Sequence, residues 1–301
     1  MLHDVSIALT KPPLANDLAY LGEGLANMAT TPYTLDKWGD GWIPQESKTI
    51  VTSVGGLSFN PSDFLVYNVH YADCPDPWVF CHHKDAGITI DSMASQFGRL
   101  PIQMRQWVRH VNVVPGDGGW AFEWNGSLTF IGPIDYMANV IVHETAHSLD
   151  LNGAYSDNPL SSSDNWWNNY DQDSNVPDPY ATSNAIECVA QATVVAFFNE
   201  NITGGFESVE PNHDKISHQY TTIIAEALSA GQGNSIFLVG QNVPATHRLP
   251  NSDPVPMVDA PAGSLSLVGL GEPPDVTIKG DVTLVDTSHR ADPHSGCTLT
   301  W

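Results

Sequence analysis

The apolar positions change character along the chain. Through residues 1–90 the apolar runs are short and broken by turn residues, without a sustained helical period. Ile50–Val54 and Phe64–Tyr71 read as strands, the second as Phe-Leu-Val-Tyr-Asn-Val-His-Tyr. From 92 to 109 the spacing predicts a helix broken near Pro101, with Met104, Trp107 and Val108 inward. Val111–Val114 reads as a further strand. Residues 120–131 read as a hairpin, with Trp120, Phe122 and Trp124 alternating onto one face and Asn125-Gly126 as the two-residue turn. Such a strand can bind an extended peptide by strand addition, or can simply be core.

The clearest helical stripe follows, in Ile134, Met137, Ala138, Val140, Ile141 and Val142. Pro133 suits a first helical turn, and Gly153 is a natural stop just past Leu151, giving a helix of about 18 residues. Residues 154–180 read as a polar loop holding Trp166-Trp167 and aspartates 157, 164, 171, 173 and 178. A loop this long is more often functional than idle, and its tryptophans suit either a cleft wall or anchors on the core. A second core helix starts near Ser183 or Asn184, either of which can cap it, with Ile186, Val189, Ala190, Val194 and Phe197 inward. Residues 214–229 read as an amphipathic helix. Residues 231–301, rich in Pro, Gly and Asp, read as a β-rich or irregular extension. The expectation is one α+β domain over 1–301, with its core at about 90–230 and the extension 231–301 wrapped on it.

The first long helix carries chemistry. It contains His143-Glu144-Thr145-Ala146-His147. Histidines four apart on a helix point the same way, so both imidazoles can bind one Zn²⁺. Glu144 beside them can take a proton from an attacking water. A catalytic zinc usually has a third protein ligand, which must come from downstream. Glu187, in the first turn of the second core helix, is either that ligand or an acid complementing the helix dipole. Asp150 can orient a ligand histidine or face solvent near the helix end. Asp171-x-Asp173 is a weak candidate for Ca²⁺.

Composition narrows the partners. Acids outnumber bases 34 to 11, for a formal charge of −23. That excess disfavours nucleic acid and anionic membrane surfaces, since phosphate contacts need Lys and Arg. No apolar stretch of about 18 residues marks a membrane span. Met1–Leu9 lacks a basic start and a long apolar segment, so the chain reads as a mature form. The four cysteines allow three pairings. Cys74 and Cys81 bracket a small Pro- and Trp-containing loop and are expected to pair, leaving Cys188 with Cys297. Asn125-Gly-Ser and Asn201-Ile-Thr are glycosylation sequons, expected to be exposed. Together these features suit a secreted, monomeric protein.

The block His143-Glu-x-x-His147-x-x-Asp150, with Tyr155 after it, resembles the active-site helix of anthrax lethal factor-type zinc peptidases. Tyr180-x-x-x-Asn184-x-x-Glu187-x-x-Ala190 resembles the third-ligand helix of the same family. The resemblance covers residues 143–191 and implies a zincin-like fold, Glu187 as third ligand and Tyr180 as an oxyanion donor. Gln191 stands where the toxin pattern has an acid, and Ala146 where glycine is common. Cys74-Pro-Asp-Pro-Trp78 and the Asp178-Pro-Tyr-Ala segment extend a further resemblance, to secreted fungal conidiation-specific proteins, over most of the chain. The resulting expectation is a secreted zinc metallopeptidase with a peptide or protein substrate and a cleft between the metal helix and the 120–131 hairpin. Two rivals stand beside it. One is a zinc protein on the same scaffold with little or no protease activity, acting at or binding cell-wall material. The other is a carbohydrate-binding surface built on exposed Trp and Asp.

Overall fold

The computed structural model describes residues 3–133, 138–241, 243–258, 270–287 and 299–300. The chain divides into two compact units, each assembled from separated stretches. One comprises residues 1–30, 96–107 and 135–244; the other comprises 31–95, 108–134 and 245–301.

The second unit is built on a mixed sheet. Its strands are β1 (Tyr33–Lys37), β3 (Phe64–Tyr71), β4 (Trp78–His83), β5 (His110–Val114), β6 (Trp120–Trp124), β7 (Ser127–Ile131) and β11 (Leu299–Thr300). They lie in the order β1-β3-β4-β5-β7-β6-β11. The β4–β5 and β5–β7 pairs are parallel and the others antiparallel. Every residue of β5 and β7 is buried, as expected of central strands covered on both faces. Short strands β2 (Trp42–Pro44) and β9 (Pro254–Pro256) pair with each other, as do β8 (His247–Arg248) and β10 (Thr283–Leu284). After residue 244 the described residues form these short strands and otherwise irregular chain.

Three readings change here. The strand expected at Ile50–Val54 is largely helix α2 (Gln45–Ser53). Ser47, Ile50 and Val51 fall on one helical face and are buried, so a helical period hid inside a β-branched run. The hairpin is present, and Asn125 and Gly126 adopt φ of 50° and 84°, as the tight two-residue turn requires. Of the two roles open to it, strand addition and core, the first is restricted: β6 lies between β7 and β11, whose residues pair with Trp120 and Ala121. Phe122 belongs to the apolar core, with Trp120 and Trp124 packed against it. The aromatic face is therefore core, and at Trp120–Ala121 the strand is already paired. Third, Cys74 and Cys81 are free thiols. Cys81 sits within β4 opposite Val66, whereas Cys74 lies in the loop beyond Tyr71. The register holds them several residues apart along the hairpin, beyond the ~7 Å Cα separation a disulfide spans.

The first unit is helical and carries α1 (Ala19–Ala26), α4 (Ile102–Arg105), α5 (Ala138–Leu151), α6 (Asp164–Gln172), α7 (Ala185–Asn201) and α8 (Ser217–Ala230); α3 (Ile90–Phe97) spans the division between the units. Residues 138–150 of α5 and 185–198 of α7 are all buried. Helices buried on every side belong in an interior, and α5 and α7 pack on each other there. Helix α1 packs against both, and α8 packs against α7. A Cβ on Gly24 of α1 would lie 2.8 Å from the Phe198 ring, so glycine permits that close approach. Gly153 ends the α5 segment at φ 89°, as anticipated, while Ile134–Met137 lie outside the described residues. No described helix is long and apolar enough to cross a membrane.

The expected polar loop 154–180 contains α6. Ser163 caps it by accepting from Trp166 N at 3.0 Å, and Trp166 and Tyr170, four apart, are its buried face. Trp166 is fully buried, and Trp167 donates to Ser161 O and stacks on His3, so both are anchors. Both sequons use their amides internally. Asn125 Nδ2 donates to Glu46 Oε2 at 3.2 Å. Asn201 Nδ2 donates to Phe197 O and Phe237 O, each at 2.9 Å, and its Oδ1 accepts from Val239 N at 3.1 Å. Cys188 is a buried free thiol 3.3 Å from Gln219 Oε1, and Cys297, its expected partner, lies outside the described residues.

The helical unit depends on α7 being held from several sides. Phe197 is buried and meets the Phe237 ring edge-on at 6.2 Å. Phe197→Ala is expected to destabilise this unit by about 3–5 kcal/mol, with Phe197→Leu costing clearly less. Thermal and denaturant unfolding followed by far-UV circular dichroism measure both; equal stability of the alanine variant and the parent would remove α7 from the core.

Candidate metal centre

The fold of α7 explains how a carboxylate comes to lie in the interior. Asn184 is extended, and its Oδ1 accepts from Glu187 N at 3.0 Å. This cap starts the helix and sets Glu187 in the first turn. On α5, His143 and His147 lie one turn apart on the side facing α7. His143 Nε2 is 3.1 Å from Glu187 Oε2, His147 Nε2 is 3.3 Å from the same oxygen, and the two imidazole nitrogens are 3.0 Å apart.

The triangle is the right size for a small metal ion. Ligand bonds of about 2.05 Å at tetrahedral angles separate neighbouring ligand atoms by about 3.3 Å. The three residues are only 1 %, 3 % and 1 % exposed in the order His143, His147, Glu187, so solvent does little to screen them. Glu187 Oε1 has no hydrogen-bond partner among the described residues. A buried, unsatisfied carboxylate oxygen is costly unless something else supplies positive charge. Burial alone would raise the Glu187 carboxyl, but the imidazoles beside it, the charge of His147 first, outweigh burial and hold the group well below its ordinary value. Among the described residues this is the group of His, Cys, Asp and Glu side chains close enough to hold a metal. The donor set fits one divalent ion.

The surrounding residues come from one turn and the next helical layer. His143 Nδ1 is 3.1 Å from Gln191 Oε1, and Gln191 Nε2 donates to Asp178 Oδ2 at 2.6 Å. Asp178 Oδ1 accepts from Ala181 N at 3.0 Å, shaping the Asp178-Pro-Tyr180 turn. The Tyr180 ring lies 5.8 Å from the His143 ring, so the sequence-predicted tyrosine does reach the site. The N-terminal segment braces this turn: Ala15 N bonds to Pro177 O, Leu9 N to Thr182 O and Ala185 N to Val5 O. Burial pushes the Asp178 carboxyl up to about 6, against the pull of the Ala181 bond and His143.

Glu144 is buried on α5 beside the two ligands. Asp150 is buried too, so it does not face solvent. Its Oδ1 accepts from Ser161 N at 3.1 Å, and its Oδ2 has no hydrogen-bond partner among the described residues. Burial raises its carboxyl while Ser161 and the charge of His147 oppose the rise. Asp173 is committed elsewhere. It accepts from His218 N, Gln219 N and both of their side chains at 2.8–3.1 Å, so both of its oxygens are engaged in capping the start of α8. Sequence reasoning missed Asp178 and Gln191 as site residues. A signal existed for one of them: Gln191 is four residues past Glu187 and shares its helical face.

Fold and site define a mixed α/β protein with a buried His-His-Glu triad, carried on two packed helices, that could hold a metal ion. Residues 16–229 match the family described as Conidiation-specific protein Con-13, and the chain belongs to that family. It is similar to Conidiation-specific protein 13 of Neurospora crassa, with 33 % identity over 181 residues covering 60 % of this chain. The matched part is 53 % of that relative, so the chain aligns with about half of its length. No solved structure matches the chain.

Removal of one corner of the triangle should separate metal binding from folding. Glu187→Ala is expected to lose most bound metal, weakening affinity by more than the ~10–100-fold typical of outer partners, while helix content is kept. Elemental analysis of the purified variant reads this, and a metal content equal to the parent would remove Glu187 from the ligand set. Chelation of the parent should also lower its melting temperature, since an ion bound only to the native state stabilises it.

Proposed function

We propose that this protein is a zinc-dependent metallopeptidase whose triad is His143, His147 and Glu187. The observation that carries the reading is the convergence of three buried ligand atoms 3.0–3.3 Å apart, next to a glutamate that metal binding does not itself require. Zinc suits a small site of two imidazole nitrogens and one carboxylate oxygen, and three protein ligands leave a position open. When bound, zinc supplies Lewis acidity toward water and a substrate carbonyl.

The protein's own groups supply the remainder. Glu144 accepts the proton of the attacking water and returns it to the leaving amine. Tyr180 is half-buried beside His143, so its hydroxyl can approach the edge of the site and donate to a developing oxyanion; such donors are worth about 3 kcal/mol. Exclusion of water by the packed helices strengthens every charge interaction at the triad.

The burial of the triad favours a second reading, in which the ion is held tightly without turnover. In that case the protein binds a partner or cell-wall material instead of hydrolysing peptides. Glu144 counts against it, because a purely structural zinc needs no adjacent base and usually has four protein ligands. An extracellular location is part of the proposal. It rests on the strongly acidic composition and not on disulfides, since the three described cysteines are thiols.

The deciding experiment is cleavage of a proteome-derived peptide library by the zinc-loaded protein. Glu144→Gln is expected to keep one zinc per chain and to lower turnover by about 10²–10⁴-fold. Cleavage unchanged in that variant would remove Glu144 as base. A parent that holds zinc and leaves the library intact would establish the second reading.

A further inference from the structure

The hydrogen bonds behind His143 form a chain whose direction can be deduced one group at a time. Asp178 is 2 % exposed, and both of its oxygens act as acceptors, Oδ1 from Ala181 N and Oδ2 from Gln191 Nε2. A carboxylate oxygen can only accept, so the amide end of Gln191 that faces it must be the NH₂. The carbonyl end, Oε1, therefore faces His143 Nδ1 at 3.1 Å. A carbonyl also only accepts, so Nδ1 must carry the proton. Neutral imidazole has one N–H and one lone pair, which leaves the lone pair on Nε2. That is the atom 3.1 Å from Glu187 Oε2 and 3.0 Å from His147 Nε2.

We propose that Asp178 and Gln191 are positioning residues that act through hydrogen bonds to fix the His143 tautomer, so that its Nε2 lone pair is held ready for the metal. The inference rests on the metal-centre reading of the triad. Direct carboxylate partners commonly do this for metal-bound histidines. Here an amide stands between. Gln191 passes the orientation from Asp178 to His143 while keeping the negative charge one residue further away. If the Gln191 amide turned over, its NH₂ would face His143 Nδ1 and favour the tautomer with the proton on Nε2, where it blocks the site. Asp178 prevents that turn. It also shapes the Asp178-Pro-Tyr180 turn, so one carboxylate sets both the ligand histidine and the nearby tyrosine.

Two readouts test this. One is Zn²⁺ affinity, by competition with a chromophoric chelator. The other is the His143 tautomer in metal-free protein, from ring ¹⁵N chemical shifts. Asp178→Leu is expected to weaken zinc binding by about 10–100-fold and to shift His143 toward the Nε2–H form. Asp178→Asn can still accept from Gln191, so it should retain the tautomer and lose less affinity. In Asp178→Leu/Gln191→Glu a carboxylate meets Nδ1–H directly, and both tautomer and affinity should return. Should Asp178→Leu fold poorly through the loss of its bond to Ala181, Gln191→Met leaves that bond in place and is expected to give the same two changes.

Unchanged tautomer and affinity in Asp178→Leu or Gln191→Met would overturn the proposal. So would an affinity loss with no tautomer change and no recovery in the double variant, which is the signature of a merely structural role. Failure of the parent to bind zinc at all would instead overturn the metal-centre reading. The ¹⁵N measurement, made without metal, would still report whether the relay sets the tautomer.

Discussion

The arrangement of the helical unit turns on three electron-pair donors aimed at one point in a water-poor interior. His143 Nε2, His147 Nε2 and Glu187 Oε2 lie 3.0–3.3 Å from one another, and with the His143 proton held on Nδ1 only His147 can bring a ring proton into the triangle. The cluster asks for positive charge at its centre. Meeting that demand requires α5 and α7 to be pressed together with polar side chains between them, and this explains why both helices are buried on nearly every side. Apolar residues around the rest of each helix supply the packing that holds the donors at a distance they would not choose alone.

The same constraint explains the peripheral elements. Glu187 can enter the interior because Asn184 ends the preceding turn and caps α7 at the required residue. That turn is held in place by the N-terminal segment, whose backbone bonds to Pro177, Thr182 and Ala185 would otherwise look like incidental contacts. Residues far from the triad in sequence therefore contribute to its geometry.

Much of the site was legible in the sequence, because helical spacing is a local property. His143, Glu144 and His147 declare themselves within five residues, and Asn184 and Glu187 fit a cap followed by a first turn. What was hidden depended on long-range placement. Ile50–Val54 looked like a strand because β-branched residues mask a helical face of Ser47, Ile50 and Val51. Helix α6 was hidden in Asp-Asn-Trp-Trp-Asn-Asn-Tyr-Asp-Gln, where only Trp166 and Tyr170 are buried. The hairpin was readable, but its neighbour β11 comes from the far end of the chain, and no local pattern announces that pairing. The pairing of Cys74 with Cys81 failed for a related reason: proximity in sequence says nothing about register, and the register separates them.

The identity of residue 191 follows from charge. Glu144, Asp150, Asp178 and Glu187 are each no more than 2 % exposed, and all lie in or next to the two ligand-bearing segments. A divalent cation offsets two negative charges, and burial already raises the carboxyls of Asp150 and Asp178. A fifth buried acid in contact with His143 would add repulsion that nothing nearby is placed to relieve. An amide there transmits orientation without adding charge, because its two ends differ in hydrogen-bond polarity. The neutral Gln191 is thus the side chain that lets Asp178 direct the imidazole without adding a further buried negative charge in contact with His143.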